Sequence, residues 1–376
     1  MSNDPKPNST ELSSIETTSV PATVDSAAPV TTTPPRGLNW GPIGGILKYS
    51  AVILIVLICL NLVRKKLQDI TWQQLWEGVV SIPPQQLILA FVITALNFVI
   101  LTGYDWIAIT YLQKKLPWKK IMVGAVIGYA FSNVFGWMIG GTTARYRLYT
   151  RWGFSLVEVI AFISVLSVTF WLGMFLLAGV ALVSLPVHLP EKYSEHLPLS
   201  TEAFGYIFLF CVLGYLAAAL FIRKPIKIGT QQFTFPPFRL SLVQLSVSAA
   251  DFALASLVLY LLLPQHDSIN YGTVLVIYIV AMVVTVAVHA PGGVGVLEII
   301  VIDTLTKDIP EGGSGLTVGV TCGIVLFRVI YYFIPGLVAA GLFMNEEREL
   351  AKKMMINVVT AVPRLIMFVI SKLRRK

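Results

Sequence analysis

The chain has 376 residues, 56% of them hydrophobic and only 13% charged, with a mean hydropathy of +0.76. That apolar share exceeds what a soluble domain carries and points to an integral membrane protein. Its segments are too long and too uniformly apolar for a closed barrel of alternating strands about 10 residues long. A net charge of +8 in such a chain belongs to cytoplasmic loops facing anionic lipid, not to nucleic acid.

Residues 1–40 are rich in Ser, Thr and Pro and have no apolar core, so a disordered tail is expected there. The tail also lacks the basic start and compact apolar core of a cleaved signal peptide. A transmembrane domain is expected over 41–345. A bilayer core of about 30 Å takes roughly 20 apolar residues per helix. Such windows fall at Ile46 to Val63, Leu87 to Leu112, Leu156 to Leu185, Phe204 to Ile222, Leu240 to Leu263, Tyr271 to Val288 and Leu316 to Met344. Over 346–376 a basic start, an apolar middle with helical spacing and the basic end "KLRRK" predict a helix lying on the cytoplasmic surface. Cys59, Cys211 and Cys322 sit inside apolar windows without metal-type spacing and read as packing residues.

The loops set the orientation. "QKKLPWKK" (Gln113 to Lys120), "RKPIK" (Arg223 to Lys227) and the segment after Met344 are basic and should be cytoplasmic. Pro186 to Ala203, Pro264 to Asn270 and Lys307 to Gly315 are acidic or neutral and should face outward. One full crossing between Gln113 and the Arg145 region would force Pro186 to Ala203 inside, against its charge. Parity is restored if Ile121 to Trp152 turns near Gly140 and Gly141 and returns to its own side, and if "HAPGGVGVLE" (His289 to Glu298) does the same from the other face. Only "RKK" (Arg64 to Lys66) is then misplaced. The expected fold is an all-α polytopic membrane protein with about six to eight spanning helices and two re-entrant hairpins. Such backbone is tolerated at membrane depth only when buried in protein or lining a cavity. Its two opposed broken elements follow the inverted-repeat logic of transporters, without a residue-level repeat.

The chemistry-bearing residues cluster at these breaks. Arg145, Arg147 and Arg151 lie on the return arm of the first hairpin, Arg147 and Arg151 on one face by their spacing. Guanidinium forks suit phosphate; a positive-inside loop with Tyr146, Tyr149 and Trp152 as an aromatic belt is the competing reading, and parity favours the former. In the second hairpin Pro291, Gly292 and Gly293 break a helix whose following arm would aim free N–H groups inward, with Glu298 a turn on and His289 just before. An ordinary interhelical loop is the alternative there.

Asp251 and Arg328 stand near the centres of apolar windows. Each would cost at least about 2.5–3.5 kcal/mol alone at the bilayer centre, so they should face a cavity or pair, with one another as one option. Asp105 and Glu158 are near an interface, where snorkelling or structural roles fit. Phosphate-loop, metalloprotease, serine-hydrolase and dinucleotide signatures are absent, and four histidines form no ligand cluster, so no enzyme, metal or cofactor is expected.

Five stretches, "GYDWIAITYLQKKLPW", "GGTTARYRLYTRWGFS", "LVQLSVSAADFALASLVLYLLLP", "HAPGGVGVLE" and "LFRVIYYFIPG", together resemble the lysylphosphatidylglycerol synthase transmembrane-region family, over roughly Leu87 to Met344. Within it they most resemble the stand-alone YbhN-like branch of bacterial inner-membrane proteins. The resemblance implies a flippase-like fold with re-entrant helices in the cytoplasmic (inner) membrane. It carries functional positions onto Arg145, Arg147, Pro291, Gly292, Gly293, Glu298, Arg328 and Tyr331. It also implies membrane phospholipids as partners. Because only a short helix follows Met344 where synthases have a transferase domain, lipid synthesis by this chain alone is not expected. The leading expectation is a lipid translocase for anionic headgroups. The alternatives are a scaffold for a lipid-synthesis or envelope enzyme, or a carrier of small anions.

Overall fold

The computed structural model describes residues 72–184, 200–222, 226–228, 231–233, 235–266, 269–288, 291–306 and 314–348. All of them lie in the second of two compact units, which begins at Lys48. The predicted tail, the first apolar window with its RKK flank, His289 and nearly all of the predicted C-terminal helix lie outside the described residues.

After a short helix α1 (Trp72–Val80), α2 (Pro84–Tyr111) starts with a proline in its first turn, where the missing N–H costs nothing. It ends where Gln113 adopts φ 54 and the Lys114 N–H donates back to the Ile109 carbonyl, closing the last turn. Helix α3 (Trp118–Phe135) stops at Gly136, whose φ 84 and ψ 154 are open only to glycine. A π-helical turn, Trp137–Gly141, then leads into α4 (Thr142–Arg151).

The segment doubles back on itself. A Cβ on Gly140 would strike the Phe131 carbonyl, one on Gly141 the Ser132 hydroxyl, one on Gly128 the Arg145 guanidinium, and one on Gly124 the Tyr149 hydroxyl and Trp152. Lys120 Nζ lies 5.7 Å from the centre of the Trp152 ring, so the return arm ends where α3 began. The reversal is at Gly136, not at Gly140 and Gly141 as the sequence suggested. The glycine pair lets the return arm approach α3 at backbone distance. Gly153, at φ 92, ends α4, and the Phe154 N–H donates to the Tyr149 carbonyl at 3.0 Å.

Helix α5 (Leu156–Ser184) opens with a capping box: Ser155 Oγ accepts from the Glu158 N–H at 3.3 Å, and Glu158 Oε2 accepts from the Ser155 N–H at 2.9 Å. Helix α6 (Thr201–Phe221) is capped by Ser200 and packs along α5, Gly205 against Val183. Two three-residue strands, β1 (Ile226–Ile228) and β2 (Gln231–Phe233), pair antiparallel in the connection that follows α6; they are the one pair of strands among the described residues.

The second half repeats the element order. Helix α7 (Phe238–Leu262) leads to α8 (Tyr271–Val288), a tight turn Pro291–Gly293, and α9 (Val296–Leu305). Gly292, Gly293 and Gly295 all have positive φ (60, 63 and 84), a run that side chains would strain. A Cβ on Gly293 would meet Thr285 of α8, so α9 folds back on α8 as α4 does on α3. Both hairpins have an 18-residue arm, a glycine break and a 10-residue return helix. The last long helix runs as α10 (Ser314–Phe327), a π-helical segment Arg328–Phe333, and α11 (Ile334–Glu346). Pro335 explains the widening: it cannot donate to the fourth carbonyl back, and the Ile334 N–H bonds the Val329 carbonyl five residues back instead.

Helices α2 and α7 are antiparallel, with Asn97 beside Asp251 and Gly103 beside Val247. Loop ends therefore gather at two faces. Lys114 reaches Glu158 at 2.7 Å, and Leu240 shares a core cluster with Ile107, Ile121 and Phe154, placing 112–117, 152–155 and the start of α7 together. Gly319 packs on Pro264 and Gly78 on Cys322, gathering α1, the end of α7 and the start of α10 at the other. The first hairpin accordingly has its open end at one of these faces and the second at the other. Six helices among the described residues are long and apolar enough to cross a membrane: 84–111, 156–184, 202–221, 238–262, 271–288 and 315–346.

Candidate functional site

Three carboxylates sit inside the apolar body, and the fold treats them differently. Asp105, on the last turns of α2, is fully buried and pairs with Arg145 Nη2 at 3.1 Å; Arg145 itself is 1% exposed. The Tyr149 hydroxyl donates to the other Asp105 oxygen at 2.6 Å, and the Arg145 guanidinium lies 4.2 Å from the centre of the Tyr129 ring. Arg145 Nε has no hydrogen-bond partner. This is a closed ion pair that ties the first hairpin to α2. Asp105 therefore does not snorkel, Arg145 does not line a wet pocket, and Tyr149 belongs to the core instead of an aromatic belt. The cause is the close return of α4, which carries Arg145 past Gly128 to α2.

Glu298 plays the matching part in the second hairpin. Arg328 Nε donates to Glu298 Oε1 at 2.6 Å, Nη1 to the Gly292 carbonyl at 2.6 Å and Nη2 to the Gly293 carbonyl at 2.8 Å. Glu298 Oε2 accepts from the Gly295 N–H at 2.7 Å, so the anion at the start of α9 is the protein's own carboxylate. Tyr332 lies under the Arg328 guanidinium at 4.4 Å. One arginine thus holds the carbonyls that the broken backbone leaves without helical partners.

Asp251 is not paired with Arg328. Its Oδ1 accepts from Asn97 Nδ2 at 3.1 Å and its Oδ2 from the Tyr104 hydroxyl at 2.9 Å; Asn97 Nδ2 also donates to the Tyr331 hydroxyl at 2.5 Å. Among the described residues no cation lies within ion-pairing distance of Asp251. Tyr104 packs on Tyr129, and Tyr331 on Tyr332, with ring centres 5.4 and 5.6 Å apart, so Asp251 stands between the two arginine clusters.

The hairpin tips touch. A Cβ on Gly292 would fall on the Asn133 carbonyl, with that of Val134 next nearest, at the end of α3. Arg147 and Arg151 share a face, as their spacing predicts, but that face is exposed. Each approaches Glu347, after α11, at 3.9 Å. Glu158 pairs with Lys114 at the loop-end face, in keeping with an interfacial place. Cys322 is buried, whereas Cys211 is exposed on α6 and is no packing residue; Cys59 lies outside the described residues.

Sequence reasoning placed Arg145 on the return arm of the first hairpin and Pro291, Gly292, Gly293 and Glu298 in the second, but it left Arg328 and Tyr331 in the last long helix, and only the structure brings Arg328 to the second break. That reasoning missed Asn97, Tyr104, Tyr129 and Tyr332. Asn97 and Tyr104 had a signal: with Leu101 they form an i, i+4, i+7 stripe on α2, and both are polar within an apolar window.

Comparison with known proteins gives a consistent result. The family model described as the lysylphosphatidylglycerol synthase TM region matches residues 47–339. The uncharacterized protein slr0712 of Synechocystis sp. is 34% identical over 298 residues, covering 79% of this chain and 90% of its own. The inner membrane protein YbhN of Escherichia coli is 29% identical over 318 residues, 84% and 96% of the two chains. A phosphatidylglycerol lysyltransferase of Staphylococcus haemolyticus is 25% identical over 318 residues, which is 82% of this chain but 35% of that longer protein.

Proposed function

This chain belongs to the lysylphosphatidylglycerol synthase transmembrane-region family, a multi-pass protein of the bacterial inner membrane, and from that premise we propose that it is a lipid translocase. The substrate class is an anionic glycerophospholipid, moved between leaflets without covalent change. The observation that supports this reading most is the contact of two broken hairpins from opposite faces, Gly292 against Asn133. A barrier built from two separately anchored tips can open toward one side while staying shut on the other, which is the logic of alternating access. Both hairpins are then re-entrant, with their breaks at membrane depth and their freed carbonyls satisfied from within the protein.

Arg145 and Arg328 act in this scheme as positioning residues. Headgroup capture falls to Arg147 and Arg151, whose guanidinium groups are about half exposed and only loosely engaged by Glu347. A phosphate can take both as bidentate partners, in shorter contacts than the 3.9 Å approaches to the carboxylate. Phosphatidylglycerol is the first lipid to test, because a lysyltransferase named for it shares this membrane region.

The experiment is reconstitution into vesicles with a fluorescent phosphatidylglycerol and a membrane-impermeant quencher. Wild type is expected to expose inner-leaflet label well above protein-free vesicles. Arg147→Ala with Arg151→Ala should slow it by about 10-fold, equivalent to roughly 1.4 kcal/mol. Transport no faster than in empty vesicles would remove the proposal.

A further inference from the structure

Among the described residues, Asp105 and Glu298 each have an arginine, whereas Asp251 has only neutral donors. Asp251 is 8% exposed, and beside it Asn97 Oδ1 is buried with no hydrogen-bond partner. The ionisable groups in electrostatic reach are tyrosines on every side: Tyr104 on α2, Tyr129 on α3, Tyr278 on α8, and Tyr331 and Tyr332 on the π-helical segment. The arginines of the two adjoining clusters, Arg145 and Arg328, are committed to their own carboxylates.

From this geometry we propose that Asp251 is an exchangeable proton site, and that a proton bound and released there is the coupling ion of the transport cycle. The step balances simply: one proton from water joins a carboxylate oxygen and leaves again, taking the local charge from −1 to zero and back. Each Asp251 oxygen accepts one direct hydrogen bond, at 3.1 and 2.9 Å, and keeps a further lone pair on which a proton can sit.

The network can also accept the change. With Asp251 charged, the Asn97 amide turns its N–H groups toward Asp251 and Tyr331. Turning that amide over presents its free oxygen to a neutral carboxyl and to the Tyr331 hydroxyl, and the close Asn97–Tyr331 approach suits an O–H···O bond as well as an N–H···O one. Both ends of the network lead to a hairpin: Tyr104 through Tyr129 to Arg145, and Tyr331 through Tyr332 to Arg328 and the Gly292 and Gly293 carbonyls.

The coupling role rests on the translocase reading, whereas the proton site itself does not, so two readouts are needed. Infrared difference spectra of the full chain in nanodiscs, taken across about pH 5 to 8, are expected to show a protonated-carboxyl band that Asp251→Asn abolishes. Tyr104→Phe is expected to shift its midpoint while keeping the fold. Proteoliposome transport of fluorescent phosphatidylglycerol should change by about 10-fold over the same range, and Asp251→Asn should flatten that profile. Transport that persists with an identical profile in Asp251→Asn, or a band that sodium displaces at fixed pH, overturns the coupling ion as proposed while leaving translocation intact. A wild type that shows the band but no transport keeps the proton site and removes the translocase. No band at all in a folded Tyr104→Phe and wild type overturns the site.

Discussion

At the scale of single residues, the buried Arg145–Asp105 pair sets the strongest expectation. Its members are 1% and 0% exposed, so removing one leaves the other charged in a medium that cannot solvate it. Asp105→Asn should lower stability by about 3–5 kcal/mol, read as a lower unfolding temperature in detergent. Asp105→Asn combined with Arg145→Met should lose less than the sum of the two single changes, because the double variant buries no orphaned charge. Additive losses in that cycle would mean the pair is not coupled. Arg147→Ala, on the exposed face, should alter stability by no more than about 0.5 kcal/mol, which separates the two arginines that the sequence placed side by side.

The elements depend on close backbone approach. Gly140 and Gly141 let the return arm of the first hairpin lie on α3, and a side chain at Gly140 would collide with a carbonyl that cannot move without breaking the helix. Gly140→Val should therefore cost about 1–3 kcal/mol and release the return arm, detectable as faster amide exchange over Thr142–Arg151. Unchanged exchange there would show that the arm is held by something other than this contact. At the second hairpin, Arg328→Lys keeps the charge but loses the fork that reaches Glu298 and two carbonyls together. It should destabilise nearly as much as Arg328→Met, judged by the same melting measurement. A lysine that restores wild-type stability would reduce the role of Arg328 to its charge alone.

Across the whole molecule, the testable property is which ends share a face. In a background without native cysteines, Lys115→Cys and Ser155→Cys should both react with an impermeant maleimide from one side, and Gln85→Cys from the other. Opposite labelling of the first two would break the hairpin arrangement. Charge bias alone arrived at this pairing of ends, because a basic loop and its partner must lie on the side that the field and the lipids favour. Apolar length placed the six long helices among the described residues to within three residues at each end, since a bilayer fixes how much chain crosses it. The glycine run at 291–295 marked the second break through its positive φ, whereas the Gly140–Gly141 pair marked only the close return of the first hairpin, whose reversal lies at Gly136. What the sequence could not decide was partnership. Asp105 and Arg145 are 40 positions apart, and Asp251 and Asn97 are 154 apart; no local pattern says which buried charge meets which. The pairing of Arg328 with Glu298 instead of Asp251, and the solitary state of Asp251, follow from where two folded-back hairpins bring their side chains. That is a matter of distances between segments, which only the tertiary structure sets.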